Sequence, residues 1–253
     1  IEIAPLLLEV KAQLREEADY EQESRYLNAF VRALGDDERF LLPRVIPSLS
    51  SSRVLGMTYV PGVPIEDVIH EDQEERNRVM SLLFELLLIE MFELRLVQTD
   101  PNFANYRYDP ESGQVVLLDF GASRRFKAAF TGAYLDLLKA VMTHDQDAMA
   151  EAANRIGYKL GSEKTPYRDT ILQLATVVLA PLTRDEPYDF AISELPKQAV
   201  AMAGDIQRYK EFWEAPPVDV AYIHRKIAGL FMLATRLKAQ VNLNQLLLPW
   251  LQE

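Results

Sequence analysis

The stretch LVQTDPNFANYRYDPESGQVVLLDFGASR, residues 96–124, constrains the fold more than any other part of the chain. Two runs, NYRY and QVVLLDF, flank DPESG, where proline and glycine sit as a tight turn requires, so the stretch predicts a β-hairpin. Asp100 and Asn105 lie on a loop after an apolar helix, and Asp119 ends an apolar strand fourteen residues after Asn105. A hairpin brings its two ends together, so these three side chains are expected at one mouth. Taken singly, each reads as an ordinary turn residue, because Asp and Asn are enriched in turns. Taken together, with a buried helix before them and an apolar strand between them, they read as one site.

The remainder of the chain divides between a few strands at the front and a long helical body. Apolar residues recur at helical spacing over residues 5–34 in two blocks, Leu6, Leu7, Val10, Leu14 and then Leu27, Phe30, Val31, Leu34. Between them Glu16, Glu17, Asp19, Glu21 and Glu23 crowd the same segment, with like charges at the i,i+4 spacing where they repel. An alternating segment, Val54 to Val60, ends at Pro61-Gly62 and predicts a strand. Helices are expected at about 74–97, 129–143, 146–157, 166–181, 194–211 and 219–239. The fold class is therefore α+β and mostly helical.

Composition narrows the partners. An apolar fraction of 49% supports a sizeable core, and a net charge of −11 without any lysine-arginine run disfavours a nucleic-acid partner. With no cysteine there is neither a disulfide framework nor a thiolate metal site. The apolar run SLLFELLLIEMFELRLV, residues 81–97, is interrupted by Glu85, Glu90 and Glu93 and is too short to span a bilayer. His70, His144 and His224 lack the spacing of a helical zinc motif. The helix at 219–239 sets Arg225, Lys226, Arg236 and Lys238 beside apolar residues; it reads either as packed on the core with a solvated basic edge or as an amphipathic membrane-surface helix. The closing NLNQLLLPWLQE reads as a docked segment rather than a lipid anchor.

Three hard oxygen donors at one mouth suit Mg2+, which keeps much of its water and takes one or two protein oxygens plus phosphate oxygens. Asp-x4-Asn followed by Asp-Phe-Gly is also the spacing of a kinase catalytic loop and metal-binding loop. In three motifs, EEADYEQES, QTDPNFANY and VVLLDFGASR, the chain resembles the UbiB-type atypical kinases of coenzyme Q (ubiquinone) biosynthesis, also called the AarF family. The resemblance continues through DEPYDF and PPVDVAYIHRKIAGLFMLATRLKAQ, so it covers nearly the whole chain.

The resemblance implies a protein-kinase-like fold of atypical type, a C-lobe together with the helix and last strands of an N-lobe, using ATP and Mg2+. Asp100 matches the catalytic-loop aspartate, Asn105 and Asp119 the metal ligands, and Glu23 the helix glutamate that pairs with a nucleotide-binding lysine. Glu17 and Asp19 match the family's Glu-x-Asp, which faces a lysine-containing segment over the active site. The segment at Met57, Thr58, Tyr59 and Val60 is expected to form the hinge that meets adenine, with Met57 as a wall; without the resemblance Met57 reads as core. Residues 1–62 are then the remnant of the N-lobe, and 63–253 the helical C-lobe with the catalytic and metal loops.

The chain departs from the kinase pattern in lacking a strand lysine and a phosphate loop, since Lys11 sits on the first expected helix. The family's lysine-glutamine motif and alanine-rich loop would lie upstream of Ile1, so the chain is expected to be an N-terminally truncated member, inactive by itself. Gln98 stands where ordinary protein kinases have histidine, and no long activation segment follows Gly121, against a conventional protein kinase. The resemblance implies an ATPase or phosphotransferase supporting ubiquinone biosynthesis. Its partners would be ATP, lipid quinone precursors and other biosynthetic proteins. Its place would be a bacterial inner-membrane surface or the matrix face of the mitochondrial inner membrane. Two alternatives stand beside it: a pseudokinase-like scaffold that binds nucleotide or a lipid precursor without phosphoryl transfer, and a small-molecule kinase of the same fold.

Overall fold

A computed structural model describes residues 19–161, 165–206 and 217–252. In chain order these form α1 (Tyr20–Leu34), β1 (Phe40–Leu41), β2 (Val63–Pro64), α2 (Gln73–Leu88), a π-helical turn (Ile89–Leu94), β3 (Leu96–Gln98), β4 (Tyr106–Asp109), β5 (Gln114–Leu117) and β6 (Ser123–Arg125). There follow α3 (Ala128–Met142), α4 (Gln146–Ile156), α5 (Pro166–Leu179), β7 (Tyr188–Asp189), α6 (Leu195–Ile206), α7 (Val218–Leu237), β8 (Gln240–Val241) and α8 (Leu243–Leu251). The mostly helical α+β class is what the structure shows. Two compact units divide it, one taking the described residues up to His70 with Gln98–Arg124, the other Glu71–Val97 with the residues from Arg125 onward.

The first unit is organised by a four-stranded sheet in the order β1-β5-β4-β2. β4 and β5 form the expected hairpin, with Tyr106 opposite Leu117 and Asp109 opposite Gln114. Gly113 turns the corner at φ 72, a left-handed conformation that costs a glycine nothing. β1 pairs with β5 in parallel, Phe40 opposite Val115, a pairing no alternation foretold because it spans two residues. This pairing is why packing groups the hairpin with the front of the chain. α1 begins at Asp19, whose carboxylate accepts the Gln22 N–H at 2.9 Å, and its buried stripe Leu27, Phe30, Leu34 faces the same core.

The strand expected over Val54–Val60 is absent as a regular element. Isolated bridges join Val54 to Ser51 and Met57 to Val45, the latter bracketed by Ile46 N–H to Gly56 O at 2.8 Å and Thr58 N–H to Arg44 O at 2.9 Å. Pro43, Pro47 and Pro61 withhold the donors that a longer ladder needs.

The second unit packs α2 and α7 around an aromatic cluster in which Phe190 lies against Phe84 at 5.5 Å and Phe231 at 4.9 Å. The closing segment is docked: α8 buries Leu247, Asn244 Nδ2 donates to Leu182 O at 2.7 Å, and Trp250 lies 5.8 Å from Phe92. Asp185 holds the start of α8, accepting from Asn242 Nδ2 at 2.8 Å and Gln245 Nε2 at 3.0 Å. Lys226 corrects the expectation of a wholly solvated basic edge on α7. It falls on the buried stripe Val220, Ile223, Leu230, Leu233, Leu237 and is itself buried against Glu90. Among the described residues no helix is long and apolar enough to cross a membrane.

Phe30 is fully buried and lies 4.7 Å from Phe120 between ring centroids. Truncation to Phe30→Ala is expected to cost about 3–5 kcal/mol in urea unfolding; a loss below about 1 kcal/mol would contradict this packing.

Candidate active site

The hairpin register decides which side chains meet. With Tyr106 opposite Leu117, the ladder continues one step outward through the Leu118 N–H, which donates to Asn105 O at 3.1 Å. Asn105 and Asp119 are thereby held at the open end of the hairpin. Asn105 closes a short 3-10 turn, Phe103–Asn105, capped by Asn102, whose side chain accepts the Ala104 N–H at 3.0 Å. Its side chain is buried, and its Nδ2 donates to Asp100 Oδ2 at 2.8 Å. This bond leaves the Asn105 amide oxygen as the acceptor end of the group.

A second tie sets Asp100 beside the loop that follows β5. Thr99 donates both its N–H (3.2 Å) and its hydroxyl (2.8 Å) to the carbonyl of Ala122. The residue before Asp100 is thus bonded to the residue after Gly121. Within that loop Asp119 Oδ1 accepts the Gly121 N–H at 2.9 Å, so its carboxylate is held by its own turn.

α1 supplies the fourth group. Glu23, Leu27, Phe30 and Leu34 share one face at i, i+4, i+7, i+11, and that face meets the loop. Phe30 packs on Phe120, and the Glu23 carboxylate accepts the Phe120 N–H. A β-carbon on Gly121 would lie 3.3 Å from Glu23 Oε2, a tight contact, and 3.4 Å from Asp119 Oδ1, so both carboxylates approach the same place beside Gly121. Burial, with the Asp119 charge adding to it, pushes the Glu23 carboxyl up to about 6, against the Phe120 hydrogen bond that lowers it.

Asp100, Asn105, Asp119 and Glu23 are therefore brought together. Asp19 is instead the exposed cap of α1, and Glu17 lies outside the described residues. Met57 and Tyr59 are exposed, Tyr59 to 90%, and Val60 is half-buried, all on the loop that bridges to Val45. Sequence reasoning missed Thr99 and Phe30 as the residues that lock the cluster; the helical spacing of Glu23 and Phe30 was the available signal.

Among the described residues no three His, Cys, Asp or Glu side chains gather as a metal cage. One carboxylate and one amide oxygen fit a hard cation that retains water and phosphate oxygens, and suit no thiolate or imidazole metal. The crowding of negative charge at Gly121 is the physical feature such a cation would relieve.

The raised Glu23 carboxyl has a definite sign in stability. Its folded-state value of about 6 lies above its unfolded value of 4.5, so the folded state binds the extra proton between them. The group is neutral to stability below the unfolded value and destabilises increasingly as pH rises through 4.5 to 6. Glu23→Gln is expected to raise Tm relative to the parent at pH 7 and to lose that advantage by pH 4. A variant whose advantage does not vanish on acidification would contradict the raised Glu23 carboxyl that burial and the Asp119 charge produce.

The profile of the ABC1 atypical kinase-like domain matches residues 2–153. Over 232 residues the chain is 33% identical to the mitochondrial atypical kinase COQ8B of Rattus norvegicus, covering 92% of this chain and 44% of that protein. Over 235 residues it is 31% identical to the mitochondrial atypical kinase COQ8 of Saccharomyces cerevisiae, covering 92% and 46%. The chain thus spans less than half the length of these two relatives. In fold it is similar to Rv3197 of Mycobacterium tuberculosis, solved with erythromycin, at a TM-score of 0.74 and 21% identity over all of this chain and 63% of that one. With the domain profile matching more than half its length and its three motifs in their expected order, this chain belongs to the ABC1 atypical kinase-like family, of the UbiB/AarF type.

Proposed function

We propose that the cluster at Gly121 is one half of a Mg-ATP site, used for phosphoryl transfer or ATP hydrolysis in support of ubiquinone biosynthesis. The observation that carries the reading is the convergence of Asp119, Asn105 and Asp100 on one end of the hairpin, with Glu23 against the same loop. Asp119 and the Asn105 amide oxygen would hold Mg2+, and Asp100 would orient the attacking oxygen and accept its proton. Bound Mg2+ supplies neutralisation of phosphate charge. Thr99 keeps Asp100 beside the metal loop, and Asn105, by donating to Asp100, couples the two. Exposed Met57 and Tyr59, with backbone groups up to Val60, offer the surface an adenine ring would cover. Glu17 and Asp19 are assigned to the segment over the site, and Glu23 to a lysine partner.

The relatives named mitochondrial support a matrix-facing location, with lipid quinone precursors and other biosynthetic proteins as partners. A second reading, a nucleotide-binding scaffold, is favoured by one detail: Asp100 Oδ2 already accepts from Asn105, as a purely structural aspartate would.

Thermal unfolding of this chain and of a version extended upstream, with and without Mg-ATP, tests the reading. Ligand at about 100 times its Kd stabilises by roughly 2.7 kcal/mol, a Tm rise of about 5–10 °C for a chain of this size. The extended chain is expected to shift, and Asp119→Asn to abolish the Mg-dependent part. No shift in either version sinks the Mg-nucleotide site. Asp100→Asn is expected to abolish turnover and support of ubiquinone biosynthesis with nucleotide binding intact; a variant that still supports ubiquinone biosynthesis would favour the scaffold.

A further inference from the structure

The helical unit holds two charges that the candidate site does not use. The buried stripe of α2, Val79, Leu83, Leu86 and Leu87, continues past its end to Glu90 and Met91. The buried stripe of α7 places Lys226 between Ile223 and Leu230. Each helix therefore spends one core position on a charge, and the two positions face each other. Lys226 Nζ lies 3.6 Å from Glu90 Oε2, with side chains 2% and 1% exposed. Such pairs contribute little stability against apolar residues of similar size, and their best-attested use is to fix a register.

The register at issue is unusual. Ile89–Leu94 is π-helical, and the Arg95 N–H closes the wide turn on Glu90 O, an i to i+5 bond. Arg95 is itself left-handed at φ 49, an unfavourable conformation for a residue with a side chain. IEMFEL contains neither glycine nor proline, so nothing local prefers a π turn to a continued α-helix. Removing the extra residue of the bulge would rotate everything after it by about 100° and turn Leu96 and Val97, both buried, out of place. Glu90 acts on this turn twice, with its carbonyl as the acceptor of the closing bond and with its carboxylate in the core pair.

We propose that the Glu90–Lys226 pair enforces the π-helical exit of α2 and so acts as a positioning pair for the segment running through Leu96–Gln98 to Asp100. Its functional part rests on the role proposed above for Asp100; its structural part does not.

Two variants test it by amide hydrogen exchange, read at Arg95, Leu96 and Val97 against Leu82–Leu86 as an internal control. Glu90→Leu with Lys226→Met removes both charges together and is expected to keep Tm within about 3 °C of the parent. Exchange at residues 95–97 should nonetheless rise at least tenfold, with residues 82–86 unchanged. Glu90→Gln, of the same shape, removes the carboxylate charge that faces buried Lys226 and is expected to lower Tm by about 10 °C. Below its transition it should show the same selective rise, which serves if the double variant fails to fold. Parental exchange at 95–97, or an equal rise in both segments, overturns the proposal. In the full-length protein the double variant should lower kcat for ATP at least tenfold at unchanged KM. Unchanged kcat with faster exchange overturns the positioning role. A parent without turnover counts against the Mg-ATP reading alone, and exchange then decides the pair.

Discussion

The pairing of Tyr106 with Leu117 is the constraint from which the candidate site follows. Side chains alternate faces along a strand, so a slip of one residue would exchange inward for outward positions throughout the hairpin. Tyr106, Tyr108, Val115 and Leu117 are buried, which makes any other register expensive. Because the register is held by the core, Asn105 and Asp119 are held with it, and neither needs a contact of its own to be placed. The tight turn at Gly113 shares in this, since a longer loop would permit the slip.

The other dependence is between α1 and the Asp-Phe-Gly loop. Phe120 reaches α1 in two ways, its ring packing on Phe30 and its N–H bonding Glu23. The first interaction is apolar and insensitive to charge, and the second brings a carboxylate toward Asp119 against repulsion. Packing thus holds together what electrostatics opposes. This arrangement suits a site whose charge is to be met by a cation, and it makes the position of α1 and the conformation of the loop one variable instead of two.

Much of this was legible in the residues, for identifiable reasons. The hairpin and most helices of the second unit carry strong periodicity and turn chemistry, and their boundaries fall within a few residues of expectation; the exceptions are α2, expected to run to 97 but giving way to a π turn at Ile89 and a strand at Leu96, α8, expected only as a docked segment, and the C-terminal end of α6, where residues 207–216 are outside the described residues. Asp100, Asn105 and Asp119 could be grouped because a hairpin's ends meet by construction. Glu23 was grouped with them through family resemblance, although its spacing from Leu27 and Phe30 sets it on the apolar face of the helix and Glu21 off it. The two-residue β1 is below the length at which alternation can speak. The alternating Val54–Val60 segment did not become a strand because prolines on either side leave its partner too few donors. The π turn was invisible, as an α-helix and a π bulge draw on the same apolar stripe. Lys226 was misplaced on a basic edge because its neighbour Arg225 is polar, while its own spacing from Ile223 and Leu230 pointed inward.

The most direct test of the central claim is paramagnetic broadening by Mn2+ in place of Mg2+, recorded by NMR on the upstream-extended protein with a nucleotide present. The account predicts selective loss of the Asn105 side-chain amide signal and the Gly121 amide signal. The Gly113 amide, at the opposite end of the same hairpin, should be broadened less. Broadening centred elsewhere, or none at these two groups when nucleotide is bound, would contradict it.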